Sequence, residues 1–405
     1  MLLGSAGGFL VALALTPVIS RLFDPHVFGV FSTIVAFASI FVGLSTLRFE
    51  VFAQREESDE NYWSGVLTAL LCVVAVSAVV ALGAAVAVAA FGLDFWWLAT
   101  GPIVAVASLQ LVGAAVFTRL QLYRPLAFAN FVQQSGTATI QVIAASKSAT
   151  LSALLFGFLG ARLVWILPLS KVRQASVVGV RKFWRRNRRE GAKAGTSALV
   201  NGLSGQLIIL LVAALHGAIV AGVVAMAVRV VVAPLGLVGQ AVASAVVGEV
   251  GKQVREGRYG DGRRLVVAGV RDNFAIAVLP LLTVAVSAPF VAGWVLGDQW
   301  HDAGIAVSAL AAGALVQFMV APFSQVLNLL GRSGKLLRWD LVRFVLLALG
   351  IATPAVVGCP WVTSLICYSL MQVIVYLYLL KIVIGAISDA GKCQDLPTEH
   401  RSEND

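Results

Sequence analysis

The sequence predicts an all-α integral membrane protein with about twelve transmembrane helices in two six-helix bundles. Three observations predict this fold class. Hydrophobic residues make up 59% of the chain and charged residues 12%, against roughly 25% charged residues in an ordinary soluble domain. Apolar windows long enough for a helix to cross the hydrocarbon layer, about 20 residues each, recur along the whole chain. The cations fall almost entirely in alternate connections between these windows.

Twelve apolar windows are bounded by charged residues or by Pro and Gly, and none has the period-two pattern of a barrel strand. The first window lacks the basic start of a secretory signal peptide, so we interpret it as a span. The predicted helices cover residues 2–20, 29–47, 64–91, 96–117, 126–146, 149–169, 195–215, 217–247, 272–295, 303–328, 337–357 and 361–385.

The charge distribution predicts which side of the membrane each connection occupies. One set of connections carries nearly all the cations and consists of 48–63, 118–125, 170–194, 248–271, 329–336 and the C-terminal tail. The opposite set holds Arg21 and Lys147 and is otherwise short and without Lys or Arg. Because Lys and Arg favour cytoplasmic loops, this asymmetry predicts cytoplasmic N- and C-termini.

A basic segment near the middle of the chain, Arg181 to Lys193, has seven cationic residues in thirteen. Its apolar neighbours favour a cytoplasmic connection that contacts anionic membrane lipids over a nucleic-acid patch. It divides the chain into an N-terminal bundle (1–170), a basic linker (171–194), a C-terminal bundle (195–385) and a disordered tail (386–405). An even count of spans with parallel topology indicates two halves related by an axis along the membrane normal.

The sequence contains none of the common motifs of soluble enzymes that we looked for. The four cysteines show no CxxC pairing, and the four histidines form no HExxH or i, i+4 pair, so we expect no metal site. The sequence contains neither GxSxG nor a Gly-rich phosphate loop after a strand. We therefore expect neither an enzyme nor a bound cofactor.

Two arginines inside predicted spans are candidates for ligand binding. An ionisable group at membrane depth costs several kcal/mol unless it faces a cavity or a partner, and it is a functional candidate by default. Arg229 lies about a dozen residues into the eighth window with Pro234 just beyond it. Arg162 is close enough to its helix end for the alternative that its side chain reaches the cytoplasmic interface. Neither has an evident acidic partner within the spans, which favours an anionic ligand.

Polar uncharged side chains recur on two predicted helices. Ser197, Asn201 and Ser204 are spaced to share one face of the seventh helix, with Gln206 nearby. Gln317 starts a similar set around Pro322 in the tenth helix. Such residues either bind a ligand or hold helices together, and both interpretations remain open for Asn201, Gln206 and Gln317.

Several turns resemble those of one transporter group. The segment Ile19–Phe31, the helix end Leu47–Glu50 and the external turn Leu296–Gly304 resemble the polysaccharide biosynthesis branch of the multidrug/oligosaccharidyl-lipid/polysaccharide exporter superfamily. These segments are topological turns rather than catalytic motifs. Together with the six-plus-six layout, the resemblance covers nearly the whole chain.

The resemblance implies a flippase for undecaprenyl-diphosphate-linked sugar units in the bacterial cytoplasmic membrane. It also implies a V-shaped cavity between two bundles that opens alternately to each side. Our hypothesis places Arg48, Arg162 and Arg229 on the diphosphate, because Arg donors can replace its lost hydration. The first helix is short and poorly charged, which departs from the family pattern.

Two alternatives follow from the same sequence. A drug or cation antiporter of the same superfamily needs a buried carboxylate, and the acidic residues near the spans, such as Glu50 and Asp340, lie at span ends. A membrane-embedded polysaccharide polymerase or ligase needs a sizeable external loop, and the external connections are short. For the flippase, we expect glycosyltransferases and a polymerase as partners.

Overall fold

The computed structural model describes residues 2–394, and within this range the chain forms helices and short connections without any β-strand. The prediction of an all-α membrane protein is confirmed. Nine helical segments of the described range are long and apolar enough to span a membrane, and the N-terminal Gly7–Leu22 is a shorter apolar helix.

Two compact units divide the chain, Met1–Ala225 and Met226–Asp405. The helices of the first unit are α1 (Leu2–Ala14), α2 (Thr16–Leu22), α3 (Pro25–Ser45), α4 (Phe49–Ala53), α5 (Asp59–Phe91), α6 (Thr100–Arg119), α7 (Tyr123–Ala145), α8 (Leu151–Arg162) and most of α9 (Val177–Ala227). The helices of the second unit are α10 (Ala233–Arg255), α11 (Tyr259–Leu296), α12 (His301–Val320), α13 (Gln325–Leu329), α14 (Ser333–Val356) and α15 (Trp361–Gln394).

The predicted windows coincide with helix apart from a few residues at their ends, and several helices extend beyond the windows, among them α9, α11 and α15. α9 begins at Val177, so most of the predicted linker 171–194 is helical and continuous with the seventh predicted span. Gly217, at φ 87° and ψ 174°, interrupts the helix at the predicted external turn. α15 continues to Gln394, which makes residues 386–394 of the predicted tail helical; the remaining tail, 395–405, lies outside the described residues.

Local sequence explains how α3 begins after its short turn. Asp24 is the N-cap, and its Oδ1 accepts a hydrogen bond from the backbone N–H of Val27 at 2.9 Å. Pro25 occupies the first helical position, where its missing N–H costs nothing and its fixed φ suits the helix. The Asp-Pro pair of the motif Ile19–Phe31 is thus a helix start.

Glycines allow α3 and α9 to pack backbone against backbone. A Cβ on Gly29 would lie 1.8 Å from the carbonyl oxygen of Ala218, and one on Gly222 would lie 1.9 Å from that of Pro25. Further along the pair, a Cβ on Gly202 would lie 2.9 Å from the carbonyl oxygen of Ile40. Small residues that let helices approach closely are a principal source of helix association in membranes.

The second unit has its own buried aromatic core. Trp339 of α14 and Tyr376 of α15 form an edge-to-face pair with ring centroids 5.4 Å apart. They belong to a cluster with Phe323, in the turn between α12 and α13, and Leu379. This cluster fixes α12, α14 and α15 around the polar groups described below.

Candidate functional site

A cavity of about 200 Å³ lies within the second unit. α10, α12 and the turn that follows α12 form its wall. The wall is mainly apolar and contains two amides; it includes Gly236, Gly239, Gln317, Phe318, Pro322 and Gln325. Gly236 and Gly239 leave room beside α10, since a Cβ on Gly236 would meet nothing within 4 Å. Mostly apolar cavities with a few placed polar groups are typical of ligand sites.

Gln317, a predicted site residue, connects this cavity to the interior of the unit. Its Oε1 accepts a hydrogen bond from Nε2 of Gln372 at 2.6 Å. Gln317 therefore has both predicted roles, because it lines a cavity and joins α12 to α15.

An arginine that was not among the predicted site residues, Arg343, joins α14 to α15 in the same unit. Nη1 of Arg343 donates to the hydroxyl of Tyr376 at 3.4 Å, and Nη2 lies 3.1 Å from Oδ1 of Asp340. The guanidinium also stacks 4.8 Å from the centroid of Trp339. The i, i+3 spacing of Asp340 and Arg343 was the available signal, since these residues face the same side of a helix. The paired Arg343 is less free than Arg229 to bind an anion.

Arg229 lies on a short π-helical segment, Val228–Val232, at the start of the second unit. Pro234 follows it and lacks the N–H that would continue the regular hydrogen-bond pattern, which accounts for the irregular turn. Among the described residues, the Arg229 side chain has no hydrogen-bond or ion-pair partner. Val232, from the same segment, lines the cavity that contains Gln317. π-bulges in helices frequently occur at functional sites.

Arg162 is the last residue of α8 and is partly satisfied by its own helix. Its Nη1 donates to the carbonyl oxygen of Phe158 at 3.0 Å, and its guanidinium lies 3.5 Å from the Phe158 ring centroid. Its Nε is buried and has no hydrogen-bond partner in the described part of the chain. An unpaired buried N–H group is costly, so Arg162 retains a donor for an oxygen ligand.

Arg48 lies at a backbone corner between α3 and α4. Leu47 and Arg48 both have left-handed backbone conformations, with φ of 47° and 58°. Two consecutive non-glycine residues in this region store strain that is often found at functional sites. Nη1 of Arg48 lies 3.8 Å from Oε1 of Glu50, and the Arg48 side chain is 43% exposed.

Glu50 lies just beyond the end of α3, near the predicted span end, and it is buried there. The residue is 3% exposed, and its Oε2 has no hydrogen-bond partner among the described residues. Phe49 and Ala53, on the same short helix, belong to a buried cluster with Tyr62 and Trp63 of α5. The folding of α4 against α5 buries the carboxylate, and sequence spacing alone could not reveal that contact.

Asn201 and Gln206 lie on α9 in the first unit. Asn201 is exposed and Gln206 is partly buried. Neither side chain has a hydrogen-bond partner within residues 2–394, while the nearby Ser204 hydroxyl is buried and unpaired there. This stretch of α9 therefore keeps, on more than one side of the helix, polar side chains without partners among the described residues.

The described residues offer no cluster of three or more His, Cys, Asp or Glu side chains that could hold a metal ion. The polar groups are instead mainly amides, hydroxyls and guanidinium groups. Such groups act as hydrogen-bond donors toward anionic or sugar-like ligands.

Comparison with known families and structures places this arrangement in context. A family model described as polysaccharide biosynthesis protein matches residues 18–305. No curated protein matches the chain.

Solved transporter structures share the fold at low identity. An inward-facing multidrug resistance MATE family transporter of the MOP superfamily is 14% identical, with a TM-score of 0.62 and coverage of 96% of this chain and 95% of that one. A Vibrio cholerae MATE transporter mutant is 13% identical, with a TM-score of 0.59 and coverage of 98% and 95%. A MOP superfamily transporter from Pyrococcus furiosus, described as having a binding pocket of reversed polarity, is 14% identical, with a TM-score of 0.55 and coverage of 96% and 94%. The likeness establishes a MATE-like fold.

Proposed function

The chain belongs to the polysaccharide biosynthesis protein family, and from that premise we propose that it is a flippase for an undecaprenyl-diphosphate-linked oligosaccharide. The proposal places it in the bacterial cytoplasmic membrane with both termini on the cytoplasmic side. One observation carries it: Arg229 has no ion-pair partner among the described residues, and it shares its π-helical segment with Val232, which lines the cavity.

The chemistry of the substrate fits an arginine without a carboxylate partner. A diphosphate cannot cross hydrocarbon without replacement of its hydration shell. Guanidinium groups donate paired, charge-assisted hydrogen bonds to phosphate oxygens, and they do so best where water is excluded. An arginine already paired with an acid would have to break that pair before it could bind a phosphate, as Arg343 would with Asp340.

We assign complementary roles to the remaining predicted residues. Arg162 offers its unpaired Nε to a phosphate oxygen, and Arg48 offers a guanidinium that is only loosely paired with Glu50. Asn201, Gln206 and Gln317 supply amides for sugar hydroxyls. Transport then proceeds by alternating access of the two six-helix bundles, while the polyprenyl tail stays in lipid.

A drug or cation antiporter is the competing function, and the burial of Glu50 favours it. A carboxylate that is 3% exposed with one unpaired oxygen is a group that a cation or proton could neutralise. A polymerase or ligase is less well supported. The connections on the predicted external side remain short within the described chain, for example between α3 and the preceding α2 and between α15 and the preceding α14.

The test is polysaccharide export in cells that lack their own copy of the gene and carry a plasmid-borne one. Arg229→Gln is expected to abolish export at an unchanged protein level, and inward-facing lipid-linked sugar should accumulate. Arg229→Lys should retain part of the activity, because it keeps the charge but loses the planar fork. Arg271→Gln is the matched control, since Arg271 has a side chain that is 82% exposed.

Full export by the Arg229→Gln variant would refute the assigned role of Arg229. Normal surface polysaccharide in cells without the gene, combined with loss of a drug-efflux activity that Glu50→Gln also removes, would favour the antiporter.

A further inference from the structure

The N-terminal part of α9, residues 177–193, is an amphipathic helix whose basic side has no partner. We propose that this side binds the headgroups of anionic phospholipids at the cytoplasmic membrane surface. The proposal is independent of the transported substrate, because it concerns the bulk lipid around the protein.

One face of this segment is fixed to the cytoplasmic ends of other helices in the first unit. Phe183 is 3% exposed, and its ring makes an edge-to-face contact with Phe49 of α4 at 5.7 Å between centroids. A Cβ on Gly65, near the start of α5, would lie 2.9 Å from the Phe183 ring. A Cβ on Gly191, two turns further along α9, would lie 2.4 Å from Phe49. The segment thus packs across the ends of two different elements rather than extending freely away from them.

Ion pairs add to this attachment at the edge of the packed face. Arg186 forms a salt bridge with Glu56, whose side chain is only 10% exposed. Nη1 of Arg55 lies 4.0 Å from Oε2 of Glu190. These pairs use one of the seven cations of the segment and its single carboxylate.

The opposite face collects cations without partners. At about 100° per residue, five basic residues fall within an arc of about 120° centred roughly opposite Phe183. All five are exposed, and none has an ion-pair partner among the described residues; they are Arg181, Lys182, Arg185, Arg188 and Arg189. We call these five residues the basic stripe. Like charges at i, i+4 destabilise a helix, so the stripe favours a nearby anionic surface.

Apolar side chains at the start of the segment make a bilayer a better occupant than a soluble polyanion. Val177 and Val178 are 85% and 78% exposed. Trp184, beside the stripe, packs edge-to-face on Phe49 and is still 39% exposed. The preceding span ends in residues such as Leu167, which is 68% exposed and lies ten residues before Val177. Exposed apolar side chains next to cations let a segment contact both the lipid headgroups and the outer part of the hydrocarbon layer.

The experiment reports where the segment lies relative to lipid. A fluorescent label is placed on Val178→Cys in a background with Cys359→Ser, Cys367→Ser and Cys393→Ser; Cys72 is retained because it is buried. The full protein is reconstituted in nanodiscs of phosphatidylcholine with increasing fractions of phosphatidylglycerol. Quenching by brominated lipid measures contact with lipid, and quenching by acrylamide measures exposure to water.

We expect phosphatidylglycerol to raise lipid quenching and lower acrylamide quenching, and high salt to reverse both changes. Neutralising three stripe residues (Arg181→Gln, Arg185→Gln, Arg188→Gln) should lower the ratio of lipid-contacting to water-exposed probe about tenfold or more, because each cation near an anionic surface strengthens the contact about fivefold. The control (Arg263→Gln, Arg264→Gln, Arg271→Gln) removes the same charge from exposed positions of α11 and should leave the ratio unchanged.

Three outcomes would overturn the proposal. The probe could remain accessible to acrylamide at every lipid composition, which would assign the stripe to a soluble partner. The stripe variant and the α11 control could shift equally, which would reduce the effect to net charge. If the stripe variant does not fold, the triple Arg→Lys variant replaces it, and its ratio of lipid quenching to acrylamide quenching must equal that of the original protein. In that case the salt titration of the original protein decides: a quenching ratio that does not change with salt would refute the binding.

Discussion

The packing of α3 on α9 makes a sharp prediction about Gly29. Replacement of Gly29 by Ala places a methyl group 1.8 Å from the carbonyl oxygen of Ala218, whereas ordinary contacts begin near 3.4 Å. The two helices must therefore separate locally by about 1.6 Å. The obstacle is backbone on both sides, so no side-chain rotation can relieve it.

The magnitude follows from two opposing effects. In an open helical position, Gly→Ala stabilises by about 0.8–1 kcal/mol, because Ala loses less backbone entropy on folding. Overpacking costs about 1–3 kcal/mol and more where backbone must move, and a gap of even 1 Å forfeits up to about half of the dispersion energy at each facing contact. We expect Gly29→Ala to destabilise the protein by about 3 kcal/mol.

The assay is thermal unfolding of the purified protein in detergent, with Gly83→Ala as the matched control. Gly83 lies in α5, another long apolar helix, and a Cβ there would meet nothing within 4 Å. The control should therefore unfold at the original temperature or slightly above it, and Gly29→Ala well below it. Equal unfolding temperatures for the two variants would refute the inferred backbone contact.

Three further predictions concern polar contacts. Gln372→Leu should destabilise the protein by about 1–3 kcal/mol, because it leaves the Gln317 amide unpaired, and the double variant with Gln317→Leu should recover part of that loss in the same unfolding assay. Arg343→Leu should cost about 3 kcal/mol, since it leaves a partly buried acid and a buried hydroxyl without their donor; an unchanged unfolding temperature would contradict the network. The double variant Glu56→Arg with Arg186→Glu should restore most of the stability lost in either single variant. The coupling energy, measured by a double-mutant cycle, should be below about 1 kcal/mol because Arg186 is 54% exposed.

Hydropathy and charge predicted most of the fold because the bilayer imposes strict conditions. A span must satisfy its own backbone and hide its charges, so each of the twelve windows is visible in the sequence and is helical in the structure. The start of α9 was not predictable in the same way. Its basic residues resemble a loop, and the residue that fixes it as a packed helix is Phe183, whose contacts with Phe49 and with α5 come from distant parts of the chain.

The candidate site was predicted in part. The features that were not predicted all depend on contacts between helices. Gln317 was identified from its position in an apolar helix, and it lines a cavity. Arg343 and Tyr376 lie on different helices and become a pair only when α14 packs on α15. Glu50 lies at a span end as predicted, but its burial depends on the folding of α4 back against α5, which the sequence does not show. Residues that depend on contacts between helices are therefore the ones that sequence spacing misses.

Polar residues at membrane depth fall into two classes that the structure separates and the sequence does not. Some are satisfied within the protein: the indole N–H of Trp165 donates to Gln133, and Nε2 of Gln141 donates to the carbonyl oxygen of Leu154 at 3.1 Å. Others keep unused donors among the described residues, as Arg162 and Arg229 do. Loss of a satisfied group should lower stability first, because its partner is left buried and unpaired.

Loss of the Arg229 guanidinium removes no hydrogen bond or ion pair found among the described residues, so its effect should appear in export at an unchanged unfolding temperature. Gln141→Leu and Arg229→Gln test this separation directly, with unfolding and export measured on each variant. If Arg229→Gln lowers the unfolding temperature as much as Gln141→Leu does, then Arg229 holds the fold together and the anionic cargo needs another donor.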